Sequence, residues 1–182
     1  MRYLLLSVVL LTALASCNKP VKGRNGVTYK NAVQYNDYIV GRQAILMKKV
    51  LEFGRAADVN LDSAEQMLDK FSDETDEMIV DLKGMPPFKK DSALRDAAVR
   101  TFTFYKKVFS TDYKELLQVR NKPGIDVATA EQEVNAITVR LSKEEEGYIN
   151  GLHKAQRAFA DKNHMKLTEN KMDKEFEKEF KE

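Results

Sequence analysis

One cysteine in the whole chain, Cys17, leaves nothing for an internal disulfide to close. Tryptophan is absent, and proline occurs only four times. Charge of one sign is lacking too: 30 Lys and Arg stand against 28 Asp and Glu, a formal net charge of +2. That balance excludes the clustered basic footprint a nucleic-acid-binding domain needs. Histidine is nearly absent, with His153 and His164 eleven residues apart, about 16 Å along a helix, too far to share one metal ion. No Cys-x-x-Cys-His occurs for covalent haem, and beyond the first apolar run no segment is long enough to cross a bilayer.

That first run, residues 4–14, follows the single positive charge of Arg2 and is shorter than the ~20 residues a spanning helix takes. A basic start, a short apolar middle and small residues at the end describe an export leader that is cleaved. Its end, Leu14-Ala15-Ser16-Cys17, resembles the lipobox of bacterial lipoproteins. The resemblance implies loss of residues 1–16, diacylation of Cys17 through sulfur and acylation of its new amino group. Several acyl chains, each contributing ~0.8 kcal/mol per buried methylene, hold a protein to a membrane far better than one. With Cys17 acylated no thiol remains for a disulfide, a zinc site or a nucleophile. Asn18 is not the aspartate that, in that family, retains a lipoprotein at the inner membrane, so an outer-membrane anchor is expected. The basic stretch after it favours a periplasm-facing domain, with surface display as the alternative.

Residues 17–28 read as a lipidated, flexible tether, from their Asn, Lys, Gly and Pro content. Residues 29–166 carry helical periodicity throughout. On the first segment Val33, Ile39, Val40, Leu46, Met47, Val50 and Phe53 form one face, ended by Gly54 and Asp58-Val59-Asn60. The second, capped by Asn60 or Asp62, has its seam at Ala64, Leu68, Phe71, Thr75, Ile79 and Leu82, and Gly84 supplies a left-handed stop. A third runs from near Ser92 to the Asn121-Lys122-Pro123-Gly124 stop, with Tyr113 on its flank. The fourth starts at a Thr129/Gln132 capping box and continues to about Met165. At least two of Glu144, Glu145 and Glu146, at its centre, are expected to face water. Four amphipathic segments with short links predict an all-α, up-down-up-down four-helix bundle. A charged amphipathic tail, 167–182, places Met172, Phe176 and Phe180 four residues apart; it is either a frayed extension or a separate small amphipathic helix, with docking on the bundle left open.

Catalytic triads, glycine-rich phosphate loops and paired-carboxylate sites have no local support, so the chain reads as a non-enzyme without a cofactor. Di-iron bundles need Glu-x-x-His on two helices, which is missing here. Residues 151–156 resemble the Gly-x-His-x-x-Glu signature of imelysin-like helical lipoproteins, linked to iron, but Gln156 replaces the carboxylate and His153 reads as a surface residue. The distinctive feature is polar. Asn36, Gln43, Tyr105 and Gln156 are all expected to point inward, either as a hydrogen-bonded layer fixing helix register or as a ligand-binding site.

Three further stretches carry a second resemblance: Tyr35-Asn36-Asp37 with Gln43; Leu94-Arg95-Asp96-Ala97-Ala98 with Phe104-Tyr105-Lys106; and residues 155–160. Together they look like a leptospiral-type surface protein family of small helical envelope lipoproteins, common in Bacteroidota, over residues 30–167. The resemblance implies a bundle and an envelope location, with no activity to carry over. The expected function is therefore a protein-binding or adaptor module, membrane-held through Cys17, meeting an envelope protein through Met172, Phe176 and Phe180. The alternative is a carrier of a small ligand or metal, with its site at Asn36, Gln43, Tyr105 and Gln156.

Overall fold

The computed structural model describes residues 20–167. Cys17, Asn18, Met172, Phe176 and Phe180 lie outside the described residues. Two short strands, β1 (Val21–Lys22) and β2 (Thr28–Tyr29), precede α1 (Ala32–Val59), α2 (Leu61–Lys83), α3 (Ala93–Lys107), α4 (Tyr113–Arg120) and α5 (Val127–Lys162). A π-helical turn, Val108–Asp112, joins α3 to α4, so those two make one interrupted rod. Four antiparallel rods thus form the expected bundle. Their direction is visible in cross-helix pairs: Arg42 and Lys49 of α1 meet Asp81 and Glu74 of α2, and Lys106 and Lys114 meet Asp76 and Asp69. Among the described residues, no helix is long and apolar enough to cross a membrane.

The seam of α2 is buried where its spacing of three and four predicts. Asn60 closes α1 with its backbone N–H on the Ala56 carbonyl and opens α2 by accepting from the Ser63 N–H at 2.9 Å. The two helices therefore meet across one residue. In α1, Gly54 does not end the helix, because the buried residues on either side of it, Phe53 and Ala57, continue the apolar face. Val33 is half exposed: the face runs through Tyr35, Ile39, Leu46, Val50 and Phe53 instead. The cap of α5 is Asp126, which accepts from the Thr129 N–H and hydroxyl, three residues before the expected box.

The larger correction concerns residues 20–28, which are not a loose tether. Val21 pairs with Tyr29 and Lys22 with Thr28, and the intervening turn places Gly26 at φ +79°, a conformation glycine adopts without penalty. This hairpin is docked on the end of α2. The Arg24 N–H donates to the Gly84 carbonyl at 2.7 Å. Asn25 Nδ2 donates to the Tyr29 hydroxyl (2.7 Å), the Tyr38 hydroxyl (3.3 Å) and the Asp81 carbonyl (3.2 Å). Gly84 has φ −72°, so it is no left-handed stop. Its glycine is required by contact: an added Cβ would lie 2.9 Å from the Asn25 nitrogen.

Candidate functional site

The four polar residues expected to converge divide into pairs. Asn36 is buried on α1, and its side-chain oxygen accepts from Gln156 Nε2 of α5 at 2.9 Å. Beside this pair Tyr35 stacks on Phe159, with ring centroids 5.4 Å apart, and its hydroxyl donates to the Pro86 carbonyl. Burial pushes the Tyr35 phenol well above its ordinary pKa. Gln43 is half-buried and makes no side-chain hydrogen bond among the described residues. Tyr105 is fully buried and donates to Glu145 of α5 rather than to Asn36. Burial raises its pKa, and the neighbouring Glu145 charge raises it further. The structure brings together Asn36 and Gln156, and it does not bring Gln43 or Tyr105 to them by hydrogen bonding.

Two of the three glutamates reach water, as expected, Glu146 and the 40% exposed side chain of Glu144. Only Glu146 is fully exposed, while Glu145 accepts from Tyr105 and Glu144 accepts from Lys107 at 2.9 Å. Both half-buried carboxylates are held by the last turn of α3, next to the π turn. There stands the most buried charge in the described chain, Asp112, 1% exposed. Arg140 of α5 reaches its Oδ1 at 3.2 Å, and Lys107 lies 3.4 Å from its Oδ2. Arg140 also holds Glu115 at 2.8 Å. Tyr113, expected on the flank, is packed face to face on Phe53 of α1, centroids 4.2 Å apart. Burial, then the charges of Glu145 and Asp112, push its pKa up.

Asp112 was missed by sequence reasoning, and one signal for it existed. A seam stepping by three and four from Phe102 through Tyr105 and Phe109 lands on Asp112 before reaching Leu116. A carboxylate at a seam position, with two cations within 4 Å of it, is a partnered buried charge. π turns recur at functional sites, yet here both cations reach water and each has a second carboxylate, which makes the cluster an ion-pair network.

A shallow cleft of about 210 Å³ lies between α3 and α5, with Ala97, Arg100, Thr101, Tyr148, Gly151 and Leu152 in its lining. Typical small-molecule sites enclose ~300–1,000 Å³, so this cleft is small for one. His153 is half-buried and His164 exposed. Among the described residues no group of three His, Cys, Asp or Glu could hold a metal ion.

The bundle also has an asymmetric end. The hairpin, the 84–92 connection and the end of α5 meet there: Lys162 pairs with Asp91 at 2.5 Å, and Phe88 packs between Tyr35 and Phe159. The chain enters the domain at this pole and passes toward its last residues from the same pole. Comparison with models of protein families, with curated proteins and with solved structures gives no match in any of the three.

Proposed function

We propose that this chain is a lipid-anchored cell-envelope protein acting as a non-enzymatic protein-binding or adaptor module, held at the outer membrane through Cys17 and facing the periplasm. What carries the reading against a core-ligand carrier is the direct Asn36–Gln156 hydrogen bond. That bond engages the Asn36 oxygen and a Gln156 N–H with each other across the bundle rather than with a ligand. A buried amide pair of this kind fixes helix register. The leader and Cys17 supply the anchor, in keeping with the family resemblance noted for residues 30–167.

The docked hairpin sharpens the picture. Only three peptide steps separate Cys17 from Pro20, at most about 11 Å of chain. The domain would stand on the membrane by the hairpin pole and present the opposite pole, with Val59 87% and Val127 73% exposed, to a partner. In-cell cross-linking of the acylated protein with mass spectrometry tests this. Recurrent links from one envelope protein to the α1–α2 turn are the expected result; links only to residues 165–182 would move the contact from the far pole to the tail, and links confined to the chain itself would overturn the adaptor reading. The paired variant Asn36→Leu/Gln156→Leu tests the rival. Unchanged partner capture with unfolding stability within about 1 kcal/mol of the parent, or higher, is expected, since both members of a hydrogen-bonded pair are replaced together.

A further inference from the structure

The hairpin pole is strongly basic in a nearly neutral protein. The entry segment, 20–31, contributes Lys22, Arg24 and Lys30, all exposed, and no carboxylate. The 83–92 segment adds exposed Lys83, Lys89 and Lys90 against one carboxylate, Asp91, already paired with Lys162. Beyond the end of α5 comes exposed Lys166, against the exposed carboxylate of Asp161 in its last turn. The opposite pole has the reverse sign: residues 54–66 and 118–133 hold six carboxylates and three cations.

A second observation at the same pole concerns the backbone. Phe88 and Asp91 exchange both backbone hydrogen bonds at 2.9 Å, closing a two-residue turn whose central residues are Lys89 (φ +50°) and Lys90 (φ +69°). Turns of this hand strongly favour Asn and Gly, because a side chain at positive φ is strained. Two successive lysines sit there instead, at the tip of a solvent-facing turn. Together with His164, they are the only non-glycine residues at positive φ among the described residues, and all three lie at this pole.

We infer that the hairpin pole, led by Lys22, Lys89 and Lys90, is a docking face for the anionic phosphate headgroups of the membrane in which the chain is anchored. The inference rests on the anchor reading, since Cys17, three residues from Pro20, delivers this pole to the lipid surface. Charge complementarity selects the occupant. Spread cations on a convex end suit a field of lipid phosphates, and each lysine near such a surface strengthens attachment about fivefold. The acidic far pole is repelled by the same surface. Docking therefore sets orientation: the bundle stands upright with its acidic pole outward.

The test uses the acylated protein with Thr28→Cys as a fluorophore site; Thr28 is exposed, and acylation occupies the thiol of Cys17, the sole native cysteine. Quenching by headgroup-labelled lipid is compared in phosphatidylcholine vesicles and in vesicles with about 30 mol % phosphatidylglycerol. Stronger quenching on the anionic vesicles is expected, lost in molar salt, where screening shortens to about 3 Å. A probe at Val59→Cys moves oppositely. Lys89→Gln/Lys90→Gln should lower the docked-to-undocked ratio about 25-fold. Lys89→Gly/Lys90→Gly should do the same while relieving the backbone, which separates charge from turn conformation. Equal quenching on both vesicle types, with intact mass confirming acylation, overturns the docking face. If intact mass shows no acyl chains, the anchor reading fails, and cosedimentation of that chain with the two vesicle types decides the docking separately: preference for the anionic vesicles sustains it, and no preference overturns it.

Discussion

The two poles of the bundle are built on different rules. At the far pole the helix starts are capped locally, Asn60 for α2 through Ser63 and Asp126 for α5 through Thr129, each three residues on, with one long-range tie to the backbone, from the Arg120 side chain to the Ala57 carbonyl at 3.4 Å. At the hairpin pole the ties span long stretches of chain, from Arg24 to Gly84, Asn25 to Asp81 and Tyr35 to Pro86. The far pole is acidic and relaxed, the hairpin pole basic and strained at Lys89 and Lys90. Local closure depends on a helix's own ends, whereas distant closure requires the whole bundle to be assembled first. The hairpin pole should therefore be the more costly one to disturb.

Gly84→Val is the strongest test of that contrast. Its Cβ would meet backbone at 2.9 Å, with no flexible side chain to give way, and a loss of about 3 kcal/mol or more in urea unfolding is expected. Asn25→Ala comes next. It leaves two tyrosine hydroxyls and the Asp81 carbonyl without their shared donor, at about 2 kcal/mol. One of those hydroxyls, on Tyr38, is pushed up to about 12 by burial. Asn60→Ala, its counterpart at the far pole, should cost only about 1 kcal/mol, because a helix cap has water as a substitute. If the two asparagines cost the same, the contrast between poles fails.

The smallest effect is on pH dependence. The hydrogen bond from Lys162, then that from the Ala93 N–H, holds Asp91 below the usual carboxylate range. A carboxyl depressed in the folded state contributes stability that is fully present at neutral pH and lost as pH falls through its folded value. Lys162→Met should lower the neutral-pH stability slightly and leave the acid value, where Asp91 is protonated, unchanged, so the acid limb of a pH–stability curve becomes flatter.

The same division governs what could be read from sequence. The bundle, the α2 seam and the Asn60 cap were legible, because helical period and capping are local properties. The Asn36–Gln156 pairing was anticipated in part, since both fall on inward stripes. Gln43 and Tyr105 share those stripes, yet Tyr105 took Glu145, a partner that residue type alone advertises as solvent-facing. The hairpin was not legible: its strands are two residues each, and Gly, Asn and Lys give the segment the composition of a linker. What fixes it is Gly84, 60 residues from Arg24, which a one-dimensional pattern presents as an ordinary helix stop. Residues 20–28 of the expected twelve-residue tether therefore belong to the folded domain.

The π turn bears on how this chain tolerates change in length. Tyr105, Phe109, Tyr113 and Leu117 follow one another at intervals of four without a three. In an unbroken α-helix each such step rotates a side chain by about 40° away from the last, and the row would wind out of the core. The wider turn at Val108–Asp112 takes up the excess, so that Phe109 meets Phe71 while Tyr113 still meets Phe53. Structurally it is a one-residue insertion that the helix has absorbed as a phase slip. Loss of an exposed residue such as Ser110 would return the rod to plain α-helical winding and draw Asp112 and its ion pairs out of alignment, leaving the rest of α3 as it was.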